Sequence, residues 1–278
     1  MLGNGPSSFS ILPPVVKNIL IINGLFFLAT LSLEQSFGIN LIDKIGLHYP
    51  GAEKFQAWQF VTYMFMHGGF GHLFFNMFAV WMFGAALENY WGAKRFIIYY
   101  FLTGFGAAIT HLIIAYFEIM PVFEQISSII SNPISENIQA FFSSEYFRIS
   151  SLEMRDNYQN FISLYNEKML IDQEAAKLIA VDYFTRYQQD FLNAQVMVGA
   201  SGALFGILLA YGLMFPDTLI YVYFFVPVKA KWFVMIYGAI ELFSGLNGNQ
   251  SNVAHFAHLG GMVFGYIILL IWKKKGEL

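Results

Sequence analysis

Four side chains in this sequence have the types and spacing for acyl transfer. Val198-Gly199-Ala200-Ser201-Gly202-Ala203-Leu204-Phe205-Gly206 sets a serine among three glycines at the head of an apolar run. His72 and Asn76 stand four apart at the start of another such run, which puts them on one face of a helix. His258 opens a third, in Ala257-His258-Leu259-Gly260-Gly261-Met262-Val263-Phe264-Gly265. A serine hydroxyl is a poor nucleophile until a base takes its proton. The oxyanion of the tetrahedral intermediate then needs fixed hydrogen-bond donors. Serine, imidazole and two further donors supply both needs. Singly, each has a quieter explanation. The Ser-Gly patch can be a packing face, His258 can bond a carbonyl across a helix interface, and Asn76 can join helices for about 0.6 kcal/mol. All four at one depth are harder to account for that way.

What must bring them to one depth is a set of membrane helices. The 278 residues are 57% hydrophobic and only 12% charged, with a mean hydropathy of +0.54. A water-soluble domain has about 25% charged residues, so this chain has too little polar surface to coat itself and reads as an all-α integral membrane protein. Six runs are candidates to span a bilayer, near residues 15–36, 70–90, 95–117, 199–215, 232–246 and 254–272. Lys17, Lys94, Arg95, Lys229, Lys231 and Lys273 to Lys275 fall on one side if the six alternate. Only Lys44 and Lys54 fall in the short connections opposite. That bias predicts both termini in the cytoplasm. The second, fourth and sixth spans then all start at the outer face, bringing His72, Asn76, Ser201 and His258 within one or two turns of one surface.

The expected organisation is a membrane core of helices 1–3 over 10–117, an extramembrane helical insertion over 118–198, and core helices 4–6 over 199–273. Within the first part, 37–69 is an interfacial segment rich in aromatic residues and broken by Gly38, Gly46, Pro50 and Gly51. The insertion is acidic, with 11 acidic and five basic residues between Glu118 and Asp190. Asn132-Pro133 breaks it, Ser150 with Glu153 offers a capping box, and Asp172 an N-cap. Ile179, Tyr183, Tyr187 and Phe191 then recur at helical spacing. About three amphipathic helices on the outer face are expected, as an appendage or a lid. The first nine residues carry no basic stretch, so no cleavable leader is expected. Without cysteine there is no thiolate chemistry, disulfide or zinc–cysteine site. No basic cluster interleaved with aromatics points to nucleic acid.

With these pieces in place, the chain resembles the rhomboid family of intramembrane serine proteases. The matching motifs are Gly199-Ala200-Ser201-Gly202, His72-x-x-x-Asn76, and Ala257-His258-Leu259-Gly260-Gly261 with Gly265. The resemblance implies a six-transmembrane-helix bundle with the insertion added between helices 3 and 4. It implies Ser201 as nucleophile and His258 as base, a dyad with no acid. The oxyanion hole would comprise His72, Asn76 and the Ser201 N–H. Gly199, Gly202, Gly261 and Gly265 would serve close helix packing, and Trp58 and His67 would be structural. It implies transmembrane protein substrates in a lipid bilayer, the cell (inner) membrane if the source is bacterial, and no cofactor.

Three features depart from the family pattern. Phe205 stands where tyrosine is frequent; its ring can stack on the base but donates no hydrogen bond. Gln59 follows Trp58 where arginine is common, which removes a guanidinium clamp from the interfacial segment. The connection before span four is long. His255, three residues before His258, suggests a metal pair, but no carboxylate or cysteine accompanies it in the sequence and His-Glu-x-x-His is absent. No metal is expected, and His255 is read as structural or interfacial. Glu88 and Glu241, near span ends, are read as interfacial hydrogen-bond partners. The rival expectation is a non-proteolytic rhomboid-like protein that binds membrane clients.

Overall fold

The computed structural model describes residues 9–222, 225–247 and 252–276. The first eight residues, on which most of the leader reading rests, lie outside these. In chain order come α1 (Pro14–Phe37), α2 (Leu41–Ile45), β1 (Leu47–His48), α3 (Gln59–Thr62) and a 3-10 turn at Tyr63–Phe65. α4 (Phe70–Ala79) runs through a π-helical turn at Val80–Gly84 into α5 (Ala85–Trp91). Then follow α6 (Ala93–Ser131), α7 (Ser135–Phe142), α8 (Leu152–Ile171), α9 (Gln173–Asn193), β2 (Val196–Met197) and α10 (Ser201–Met214). The antiparallel pair β3 (Leu219–Val222) and β4 (Val226–Lys229) precedes α11 (Ala230–Asn247) and α12 (Asn252–Lys274). That hairpin was not anticipated. Its alternation is short and buried in an aromatic run that also reads as helix.

Among the described residues, four helices are long and apolar enough to cross a membrane: Pro14–Phe37, Phe70–Trp91, Ala93–Ser131 and Ala254–Lys274. α10 is apolar but has 14 residues, about 21 Å at 1.5 Å per residue, and α11 carries Lys231 and Glu241. Leu25, Leu28, Phe75, Phe243 and Val263 are exposed. Such side chains face lipid in a multi-pass membrane protein, where apolar surface needs no cover. The third apolar run does not stop near 117. α6 continues past Glu118 and Pro121 to Ser131, and the chain turns at Asn132-Pro133.

By compactness the chain divides into two units. One comprises Met1–Leu47, Ala57–Leu112 and Met197–Leu278; the other comprises His48–Gln56 and Ile113–Val196. The first holds α1, α4, α5, α10, α11 and α12. Its helix ends are settled by local chemistry. Pro13 and Pro14 start α1, and proline at the first helical position forfeits an N–H that would have no helical partner. The next two N–H groups, of Val15 and Val16, donate to the two carboxylate oxygens of buried Glu88 at 2.9 and 2.8 Å. α1 ends at Gly38 in the left-handed region (φ 64°), with Ile39 N–H reaching back to the Leu33 carbonyl.

Glu88 is therefore a cap for α1, with negative charge at a helix N-terminus. Glu88→Ala is expected to lower the unfolding temperature in detergent, since each charge-assisted bond contributes roughly 1.5–3 kcal/mol. Reactivity per folded molecule should be kept. An unchanged unfolding temperature would mean that α1 is capped in some other way.

Gln59, where the guanidinium is missing, makes a neutral contact. It is buried, and its amide nitrogen donates to the Lys44 carbonyl at 3.2 Å, while the Thr62 hydroxyl donates to the Ile45 carbonyl at 2.6 Å. The neutral amide thus ties α3 to the end of α2, with no guanidinium needed. Trp58 beside it is exposed.

The second unit is built on aromatic rings. Phe141, Phe142, Phe147, Phe161, Tyr183, Phe184 and Tyr187 form a connected cluster, with Phe161 and Tyr183 stacked at 4.2 Å. Asp172 caps α9 by accepting from Ala175 N–H at 3.1 Å. The α8 cap is Ser151, accepting from Met154 N–H at 3.0 Å, and not Ser150 as the spacing to Glu153 suggests. Adjacent serines leave the register open, and the extended backbone at Ser151 settles it.

Burial pushes the Asp190 carboxyl up, and its bond from Asn157 and the charge of Lys54 only partly offset this. A carboxyl raised in the folded state stabilises it below the unfolded value and loses that contribution as pH rises through the folded one. Asp190→Asn should therefore raise the unfolding temperature at pH 7 and make no difference near pH 3. A gain of equal size at both pH values would refute that cause.

Candidate active site

Three helices of the first unit deliver the reactive groups from their first two turns. Ser201 is the first residue of α10, His72 the third of α4, and His258 lies in the second turn of α12. The Ser201 Oγ stands 2.9 Å from His258 Nε2. The Phe205 ring, one turn beyond Ser201, lies on the His258 ring with centroids 4.3 Å apart and 5° between planes. Tyr237 and Phe233 of α11 continue that stack. An imidazole held on both its face and its edge has little freedom to turn.

The approach of α12 to α10 is set by glycine. A side chain at Gly261 would run into the Gly202 carbonyl, and one at Gly265 into the Tyr99 hydroxyl and the Gly206 α-carbon. Gly202 in turn faces Ala107 of α6. Gly199 belongs elsewhere. It precedes the helix at φ 118°, and a Cβ there would lie 2.8 Å from His72 Nε2. It serves backbone conformation beside His72, not helix–helix contact. Its own N–H donates to the Tyr63 carbonyl at 2.9 Å, which ties the loop before Ser201 to the 3-10 turn.

Of the expected oxyanion donors, His72 is thus beside the Ser201 loop, and the Ser201 N–H belongs to the open first turn of α10. Asn76 is engaged differently. Its amide nitrogen donates to buried His67 Nε2 at 3.0 Å, and His67 packs edge-on against His72 at 4.9 Å. One Asn76 N–H is thereby spent on His67, and the amide carries a second.

The residue missed is Glu241. Its Oε2 accepts from His258 Nδ1 at 3.0 Å and from His255 Nδ1 at 2.7 Å, and it is 8% exposed. The expectation that no carboxylate accompanies the two histidines is overturned; Glu241 is a hydrogen-bond partner as expected, and its partners are those two histidines. The signal was present, since a carboxylate inside an apolar run is costly without a partner. It was masked by placing Glu241 at a span end. Glu241 lies six residues before the end of α11 and His258 six after the start of α12, so antiparallel neighbours meet at that level. The donor atoms of Glu241, His255 and His258 lie within 4.8 Å of one another. The 2.7 Å separation is a hydrogen bond, shorter than the roughly 3.3 Å between two ligands of tetrahedral zinc at about 2.0 Å. We assign no metal to the cluster.

The sequence matches the Rhomboid domain over residues 54–120 and 146–275, and the chain belongs to that family. It is similar to "Rhomboid-like protease 1" of Toxoplasma gondii, 30% identical over 32% of each chain. It is also similar to "RHOMBOID-like protein 6, mitochondrial" of Arabidopsis thaliana, 41% identical over 19% of this chain and 18% of that one. A third is "Putative rhomboid protease YdcA" of Bacillus subtilis, 31% identical over 34% of this chain and 46% of that protein. The matched stretches thus span less than half the length of each of these relatives.

Proposed function

We propose that the chain is an intramembrane serine endopeptidase, cleaving transmembrane segments of other membrane proteins through an acyl-enzyme on Ser201. The observation that carries the reading is the 2.9 Å contact between Ser201 Oγ and His258 Nε2 at the open N-terminal turn of α10. His258 takes the hydroxyl proton as Ser201 attacks the peptide carbonyl, then returns it to the leaving amine. The developing oxyanion is met by the Ser201 N–H, the His72 Nε2 side and the remaining Asn76 N–H. The α10 dipole adds positive potential there. Water then hydrolyses the ester with His258 again as base. Ser201 and His258 are only partly buried and His72 is exposed, which supports a path for that water. The substrate must be unwound at the cleaved bond, because a helical peptide group is shielded by its own turns.

In the same reading both termini are cytoplasmic, the helices of 118–198 lie on the outer face, and the bilayer is the cell (inner) membrane if the source is bacterial. The test is cleavage of a model transmembrane substrate in liposomes, wild type beside Ser201→Ala. Cleavage by wild type alone supports the protease. Substrate binding without cleavage by either protein would instead support a client-binding role.

A further inference from the structure

We propose that Glu241 is a positioning residue for His258, making a three-membered relay of carboxylate, imidazole and hydroxyl. This rests on the reading of Ser201 and His258 given above. An ionised carboxylate only accepts hydrogen bonds. The Glu241 oxygen 3.0 Å from His258 Nδ1 therefore requires a proton on that nitrogen. A neutral imidazole carries one proton, so Nε2 is left as a bare lone pair, and Nε2 is the atom 2.9 Å from Ser201 Oγ. The carboxylate thus selects the one tautomer that can accept the serine proton. When it does, the imidazolium forms against a carboxylate already in place, in surroundings where an unpaired charge is costly.

The second imidazole gives the arrangement its rigidity. His255 sits one turn before His258 on α12 and donates from Nδ1 to the same Oε2 at 2.7 Å. Two N–H groups converging on one oxygen fix where the carboxylate points. They also supply the partners without which a buried acid in an apolar helix is unfavourable. The titratable groups around His258 are Glu241 on α11, His255 on its own helix and His72 on α4. Only Glu241 carries negative charge. Where Phe205 contributes a face with no hydrogen bond, Glu241 provides the bond at the ring's edge.

The experiment compares Glu241→Gln and Glu241→Asp with wild type and Ser201→Ala, reading fluorophosphonate labelling of the serine and kcat and KM for a transmembrane substrate. Glu241→Gln is expected to slow labelling and kcat at least about 100-fold with KM within about threefold, since an amide in the acid's place of such a relay costs up to about 10⁴. Glu241→Asp should recover part of the loss. Labelling and kcat for Glu241→Gln within about threefold of wild type, with Ser201→Ala unlabelled, would overturn the role of Glu241 and leave the serine reading standing. Labelling that persists in Ser201→Ala would overturn the serine reading itself. Should the Gln variant not fold, nitrogen-15 NMR of the histidines in the wild-type protein decides. His258 is expected as the Nδ1–H tautomer at neutral pH, and the Nε2–H tautomer would overturn the relay.

Discussion

Replacing Ser201 with alanine is expected to lower kcat for a transmembrane substrate by on the order of 10⁶-fold, to the limit of detection, with the unfolding temperature unchanged. The magnitude follows from the geometry. The nucleophile and its base are one unit, joined at 2.9 Å, and removing either member removes the covalent path. His258→Ala should therefore cost about as much as Ser201→Ala, and the double variant no more than either alone. Additive losses would mean that the two side chains act independently, against their contact. Folding should survive, because the Ser201 hydroxyl is partly exposed and contributes a single hydrogen bond. Measurement needs only purified protein, a substrate in liposomes and a thermal unfolding trace of each variant. Residual cleavage near the wild-type rate by Ser201→Ala would end the assignment.

The second large effect is structural, and its sign is the informative part. In an isolated helix, alanine in place of glycine is a gain of about 1 kcal/mol. At Gly261 the opposite is expected, because the added methyl would occupy the position of the Gly202 carbonyl. Backbone cannot turn aside as a side chain can. Overpacking of this kind costs about 1–3 kcal/mol, and more where the neighbour is backbone. Gly261→Ala should lower the unfolding temperature by several degrees and Gly261→Val should yield little folded protein. Labelling of Ser201 should fall in Gly261→Ala even in the fraction that folds, since pushing α12 outward lengthens the Ser201–His258 contact. Wild-type stability in Gly261→Ala would show that α10 and α12 do not meet at this level.

Both expectations depend on the helices being parallel where they meet. The amino-acid pattern carried part of that: four of the six apolar runs are long enough to span, and His72, Ser201 and His258 each stand near the start of a helix. It also carried the glycine spacing at Gly261 and Gly265. Boundaries were less legible. The third run reads as ending near 117, yet α6 continues past Pro121 to Ser131, because proline removes one N–H while the surrounding turns keep theirs. The α8 cap fell one residue from its expected place for an equally local reason, two serines in a row.

What the sequence alone determined was the class of the protein, its family and that Ser201, His258 and Phe205 stand at matching levels of their helices, where the structure brings them into contact. Apolar content and motif spacing are properties of short windows and need no partner to be read. Only the tertiary structure decided which side chains share an atom. It brought Glu241 to His255 and His258 from 14 and 17 residues away, and turned one Asn76 N–H toward His67. It also moved Gly199 from the helix interface to the turn beside His72. Such pairings arise from how helices meet across an interface. That is fixed by close packing over the whole unit, and no single stretch of chain contains it.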